Sequence, residues 1–283
     1  MNQQIPGAIL LTTSLFTLNP SIGQIFTTPS SDSVSIVYEV QGKGTPALVF
    51  VHGWSCDRSY WKAQVQTFSQ HYQVVAIDLA GHGASGLARK NYTIESFGAD
   101  VATVVKHLGL KRVVLIGHSM GGDVIAAAAR LIPRDRISGL VMVETYKKLG
   151  SGRTPEQVEA FVATLRPHFA DSVRSLVRSL FVPTSDTTLV EWVATDMSSA
   201  PPRVALSAIE NSFNYSREIT KALEEVKLPT VALNSDNGPT DTTSMQRYGV
   251  DVVIVPGFGH FLMMENPKLF NAALEKIIDK LKK

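Results

Sequence analysis

Apolar residues along the chain fall into two alternating textures. Short continuous runs, Ala47 to Val51, Tyr72 to Ile77, Val113 to Ile116 and Ile137 to Val143, read as strands buried on both faces. Between them lie stretches with helical spacing. Ser59 to Ser69 carries Tyr60, Trp61, Val65 and Phe68, and Ile94 to Leu108 carries Ile94, Phe97, Val101, Val104, Val105 and Leu108 behind Thr93, a residue suited to N-capping. Ser33 to Val40 alternates Val34, Ile36, Tyr38 and Val40, as a half-exposed strand would. The turn-rich Gln41 to Pro46 that follows predicts a hairpin to the Ala47 strand. Strands alternating with helices imply a mainly parallel sheet covered on both faces.

From Tyr146 the pattern changes. Roughly eighty residues contain no strand-like run, and Thr154-Pro155-Glu156-Gln157 has the signature of a helix start. Residues 147–226 are therefore expected to form an all-helical insertion. The strand–helix texture resumes with strands Leu228 to Leu233 and Val252 to Val255, a short helix Thr242 to Tyr248, and a final amphipathic helix through Phe270, Leu274, Ile277, Ile278 and Leu281. This gives a core of 33–146 and 227–283 interrupted by 147–226. Residues 1–32 precede it. There, Ala8 to Leu18 is apolar but too short to span a bilayer, and Ser21-Ile22-Gly23 could be cleaved. The segment resembles a secretory signal peptide, although no Lys or Arg precedes the run, so export is the expectation over a cytoplasmic location.

Composition narrows the functional class. At 283 residues, with 44% apolar residues and a net charge of +2, the chain suits a globular protein with a large core and argues against a nucleic-acid binder. A single cysteine, Cys56, rules out an intramolecular disulfide, and no spacing of ligands suggests a metal site or a cofactor.

The candidate chemistry follows the ends of the predicted strands, where ligands of parallel sheets bind. Gly117-His118-Ser119-Met120-Gly121 joins a strand to an Ala-rich helix, a sharp turn that would expose the Ser119 hydroxyl at a helix N-terminus. With His52-Gly53-Trp54, the Asp78 to Gly86 loop and Gly257-Phe258-Gly259-His260, in this order, residues 33–283 resemble the serine α/β-hydrolases, in the capped esterase-like branch.

The resemblance implies an α/β-hydrolase fold with a helical cap, and assigns roles. Ser119 would be the nucleophile and His260 its base, with the backbone N–H groups of Trp54 and Met120 forming the oxyanion hole. His52 would shape that loop, and His52 and His118 are candidate substrate contacts. The family's usual acid position holds Gly238 here, and three carboxylates compete to stand behind His260: Glu144, Asp236 and Asp241. Asp78 is expected to have a structural role, and His71, His107 and His168 to lie at the surface. Phe161, Phe169, Leu180, Phe181, Trp192 and Phe213 are candidate cap lining. The implied activity is hydrolysis of a small to medium apolar ester through an acyl-enzyme. Lactone, amide or carbon–carbon cleavage, perhydrolysis, or a receptor-like ligand-binding role are the alternatives.

Overall fold

The computed structural model describes residues 23–282, in which one eight-stranded sheet has the order β1-β2-β4-β3-β5-β6-β7-β8. The strands are β1 (Gln24–Pro29), β2 (Ser35–Gln41), β3 (Ala47–Val51), β4 (Val74–Ile77), β5 (Val113–His118), β6 (Ile137–Val143), β7 (Thr230–Ser235) and β8 (Val250–Val255). From β4 to β8 every neighbour is parallel, whereas β2 is antiparallel to both β1 and β4. All residues of β3, β4 and β5 are buried, which explains their unbroken apolar runs: helices cover both faces.

Two expectations are corrected here. The turn at Gln41 to Pro46 does not close a hairpin, because β4 lies between β2 and β3, pairing Tyr38 with Ile77 and Val51 with Ile77. The glycines of that turn serve a close crossing instead. A Cβ on Gly42 (φ 73°) would lie 2.2 Å from the Ser69 carbonyl oxygen. The sheet also begins ahead of residue 33. β1 pairs with β2 along its whole length, and as an edge strand with four exposed residues in succession it carries almost no apolar pattern. The apolar run Ala8 to Leu18 lies outside the described residues.

The flanking helices are α1 (Lys62–Phe68), α2 (Ile94–His107), α3 (Met120–Ala129), α9 (Thr242–Arg247), α10 (Leu262–Glu265) and α11 (Pro267–Leu281). Thr93 caps α2 by accepting the Ser96 N–H. The alanines of α3 let α2 approach closely, and a Cβ on Gly98 would meet that of Ala127 at 2.7 Å. Between β6 and β7 run α4 (Pro155–Leu165), α5 (Phe169–Ser179), α6 (Thr187–Ser198), α7 (Pro202–Tyr215) and α8 (Ile219–Val226). Thr154 and Gln157 form the reciprocal capping box at the start of α4.

These inserted helices dock at the carboxyl end of the sheet, on two of its loops and on the first turn of α3. The Trp54 indole donates to the Ala205 carbonyl at 2.7 Å, the Tyr92 N–H donates to Ser207 Oγ at 3.0 Å, and the Ser212 hydroxyl donates to Asp123 at 2.9 Å. Among the described residues, no helix is long and apolar enough to cross a membrane.

Candidate active site

The strand register brings the chemistry together. Val51 lies opposite Gly117, and His118 opposite Val143, so β3, β5 and β6 end side by side and deliver His52, Ser119 and Glu144 to one edge. Ser119 takes φ 51° and ψ −120°, a conformation few side chains adopt, and its N–H donates to the Val143 carbonyl at 2.8 Å. The turn has no room for side chains. A Cβ on Gly117 would lie 2.1 Å from the Gly121 carbonyl oxygen, and one on Gly121 would lie 2.5 Å from that of Val51. Because these obstacles are backbone, Gly121→Ala is expected to lower Tm by about 5–10 °C, as checked by thermal denaturation.

Met120 is the first residue of α3, so its N–H has no intrahelical partner. The Trp54 N–H lies in the loop after β3, where Ser55 also has a left-handed backbone (φ 54°). Gly53 brings that loop against the elbow, with a Cβ there 3.3 Å from that of Ser119. Both N–H groups thus lie on segments that border the Ser119 turn.

His260 follows β8 and is held by its backbone from two sides. Its N–H donates to the Leu180 carbonyl at 2.9 Å, and its carbonyl accepts Nε2–H of His118, also at 2.9 Å. Its Nδ1 faces Glu144 Oε2 at 3.4 Å. The other oxygen of Glu144 accepts the Ser235 N–H and the Lys147 ammonium, the latter at 2.8 Å. Burial raises the Glu144 carboxyl, but hydrogen bonds and charge from His260 and Lys147 outweigh it and bring it down to about 2. Glu144 itself sits at φ 50°. The Ser119 hydroxyl makes no hydrogen bond to His260.

The competing carboxylates are engaged elsewhere. Asp236 is exposed and accepts the Gly257 N–H at 2.7 Å, while Asp241 caps α9 by accepting the Ser244 N–H at 2.9 Å. Of the three, Glu144 is the one on the imidazole.

The candidate substrate contacts His118 and His52 are 1% and 0% exposed, and each holds part of the site in place. His118 packs at a ring-centroid distance of 4.7 Å from His260 and braces its carbonyl. His52 accepts the Leu79 N–H at 3.0 Å and so fixes the loop ahead of Trp54. Burial pushes the two imidazoles down to about 3 and about 4, so both are neutral.

Asp78 is structural, as expected: its buried carboxylate takes the Arg58 side chain and the N–H groups of Arg58 and Ala84. His71, His107 and His168 are exposed. Among the aromatic candidates, Phe181 stacks on Phe261 beside His260, and Phe169 is buried. Phe161 and Phe213 meet edge to face beneath Arg153. Trp192, 45% exposed, packs on Tyr60 in an outer groove that neither Ser119 nor His260 lines.

Three contributors were not singled out by sequence reasoning. Lys147 and Ser235 hold Glu144, and Glu265 accepts the Gly259 N–H at 2.8 Å and the Ser185 hydroxyl. Only Lys147, three residues past Glu144, had a local signal, and a lysine at that spacing is common.

Comparison with known proteins agrees with this architecture. Residues 46–267 match the family described as alpha/beta hydrolase fold. The chain is 25% identical to a non-heme haloperoxidase of Rhodococcus erythropolis, over 88% of this chain and 98% of that protein. It is 23% identical to 3-oxoadipate enol-lactonase 2 of Acinetobacter baylyi, over 89% and 96% of the two chains. The crystallised thermophilic esterase of Thermogutta terrifontis superposes with a TM-score of 0.79 at 25% identity, over 92% of this chain and all of that one. With its mostly parallel sheet, its strand-end serine turn and this match over most of its length, the chain belongs to the alpha/beta hydrolase fold family.

Proposed function

We propose that the protein is a serine hydrolase that cleaves small to medium apolar carboxylic esters through an acyl-enzyme on Ser119. The observation carrying this reading is the Glu144–His260 contact beside a serine in a left-handed turn at a helix N-terminus.

With its Nδ1–H directed at Glu144, the imidazole presents a bare Nε2 as base. Nε2 takes the Ser119 proton as Oγ attacks the ester carbonyl. The N–H groups of Trp54 and Met120 stabilise the oxyanion, and Glu144 stabilises the imidazolium. The imidazolium then protonates the departing alcohol. Water, losing its proton to His260, attacks the acyl-enzyme, and the acid departs as Ser119 is reprotonated. The apolar side chains of Met120, next to Ser119, and of Phe261 and Phe181, stacked beside His260, favour an apolar acyl group. Similarity to proteins named as an esterase and an enol-lactonase supports acyl chemistry.

A fluorophosphonate probe, which reacts with activated serines, is expected to label the protein, and short-chain p-nitrophenyl esters to turn over faster than long-chain ones. Absence of labelling in protein folded by circular dichroism overturns the reading in favour of a ligand-binding role. The haloperoxidase-named relative supports a second reading, in which hydrogen peroxide replaces water and the product is a peracid. Peracid formation from an ester and peroxide, measured beside hydrolysis, separates the two.

A further inference from the structure

We infer that Lys147 is a positioning residue for this reaction, turning Glu144 toward His260 and offsetting its charge so that the imidazole stays available as a base. The inference rests on the serine-hydrolase reading with Glu144 as its acid.

The carboxylate of Glu144 has two oxygens with separate duties. Oε1 is occupied by the Ser235 N–H and by Lys147 Nζ, and only Oε2 is left to the imidazole. Two donors on one oxygen fix the carboxylate plane, which a single bond would leave free to rotate. The ammonium also donates to the Ser235 carbonyl at 2.5 Å, so it bridges the loop after β6 to the end of β7. Its own backbone is anchored, the Lys147 carbonyl accepting the Asp241 N–H at 2.7 Å. This bridge stands where Asp236, the rival carboxylate, has turned away to Gly257.

The charge matters as much as the tether. A buried carboxylate with no counter-charge stabilises an imidazolium strongly, and a base that holds its proton cannot accept another. Among the described residues, none of the other ionisable groups placed around the His260 loop is a cation that could offset Glu144. Glu265 on α10 is bonded to Gly259 and Ser185, Asp236 to Gly257, and His118 on β5 is buried and neutral. The Lys147 ammonium lies against the carboxylate oxygen remote from the ring, where it lowers the field of Glu144 without touching His260.

The test is the pH dependence of kcat/KM on an activated ester for wild type, Lys147→Met, Lys147→Gln, Lys147→Arg and Glu144→Gln, with Tm recorded for each. Either neutral variant that folds serves. We expect it to lower kcat about tenfold with little change in KM, and to move the acid limb upward by about 0.5–1 pH unit. Lys147→Arg restores most of the rate and the limb. A fall in kcat with the limb unmoved in the neutral variant overturns the inference, as does a wild-type profile. Glu144→Gln separates the two claims. If it retains wild-type activity, the triad reading itself has failed. If it is inactive while the neutral Lys147 variant behaves as wild type, only the role of Lys147 has.

Discussion

Ser119→Ala is expected to lower kcat on an activated ester by about 10⁴- to 10⁶-fold and to abolish fluorophosphonate labelling, while Tm stays within about 3 °C of wild type. The asymmetry between activity and stability follows from the geometry. The Ser119 hydroxyl makes no hydrogen bond to His260, and the turn is held through the backbone, by the Ser119 N–H on Val143 and the Gly122 N–H on Ser119. Alanine keeps both bonds and the same left-handed φ, so it removes the chemistry and little else. Any residual rate comes from ester binding and the oxyanion N–H groups, which remain. Labelling that persists in Ser119→Ala moves the nucleophile to another residue. Cys56 is a poor alternative, being buried, with its thiol pushed well up by that burial.

The second large effect concerns the acid. Glu144→Gln is expected to cost about 10²- to 10⁴-fold in kcat, whereas Asp236→Asn costs less than about tenfold. The glutamine amide cannot stabilise an imidazolium. Turned with its nitrogen toward the ring, it donates to Nδ1 and selects the tautomer that protonates Nε2, the wrong one for a base. Asp236 acts at one remove, on the Gly257 N–H three residues before His260. Its loss relaxes that loop and leaves the imidazole's partner in place. Because His260 and Lys147 bring the Glu144 carboxyl down to about 2, it stays ionised across the working range. A collapse in Asp236→Asn beside a near-normal Glu144→Gln, measured as kcat on the same ester, reverses the assignment.

The layers of the fold were legible because burial on both faces leaves a direct mark. The runs at Ala47 to Val51 and Ile137 to Val143 match their strands residue for residue, and Thr93 and Thr154 cap the helices they precede. Partnership was less legible. Glycines at 42 and 44 announce a reversal of the chain, but whether the returning strand pairs beside its predecessor or one place further along depends on β4, more than thirty residues downstream. β1 left no mark because an exposed edge strand needs no apolar alternation.

The site divides the same way. Ser119 and His260 stand out because a tight turn demands glycines around one and a loop rich in glycine surrounds the other. Glu144 and Asp236 look alike in the sequence, since each follows a strand end. The choice between them lies in the register of β6 against β7 and in the left-handed backbone at Glu144. The contacts of Lys147 reach Ser235, 88 residues away, and local spacing carries no trace of them.

The backbone of His260 has one seat in each half of the molecule: its N–H on Leu180 from the inserted helices, its carbonyl on His118 from the sheet. Segments that read as a scaffold and an accessory thus share one anchor, the backbone of His260. A shift of the stretch at Leu180 is therefore passed directly to His260, whatever the rest of the insertion does.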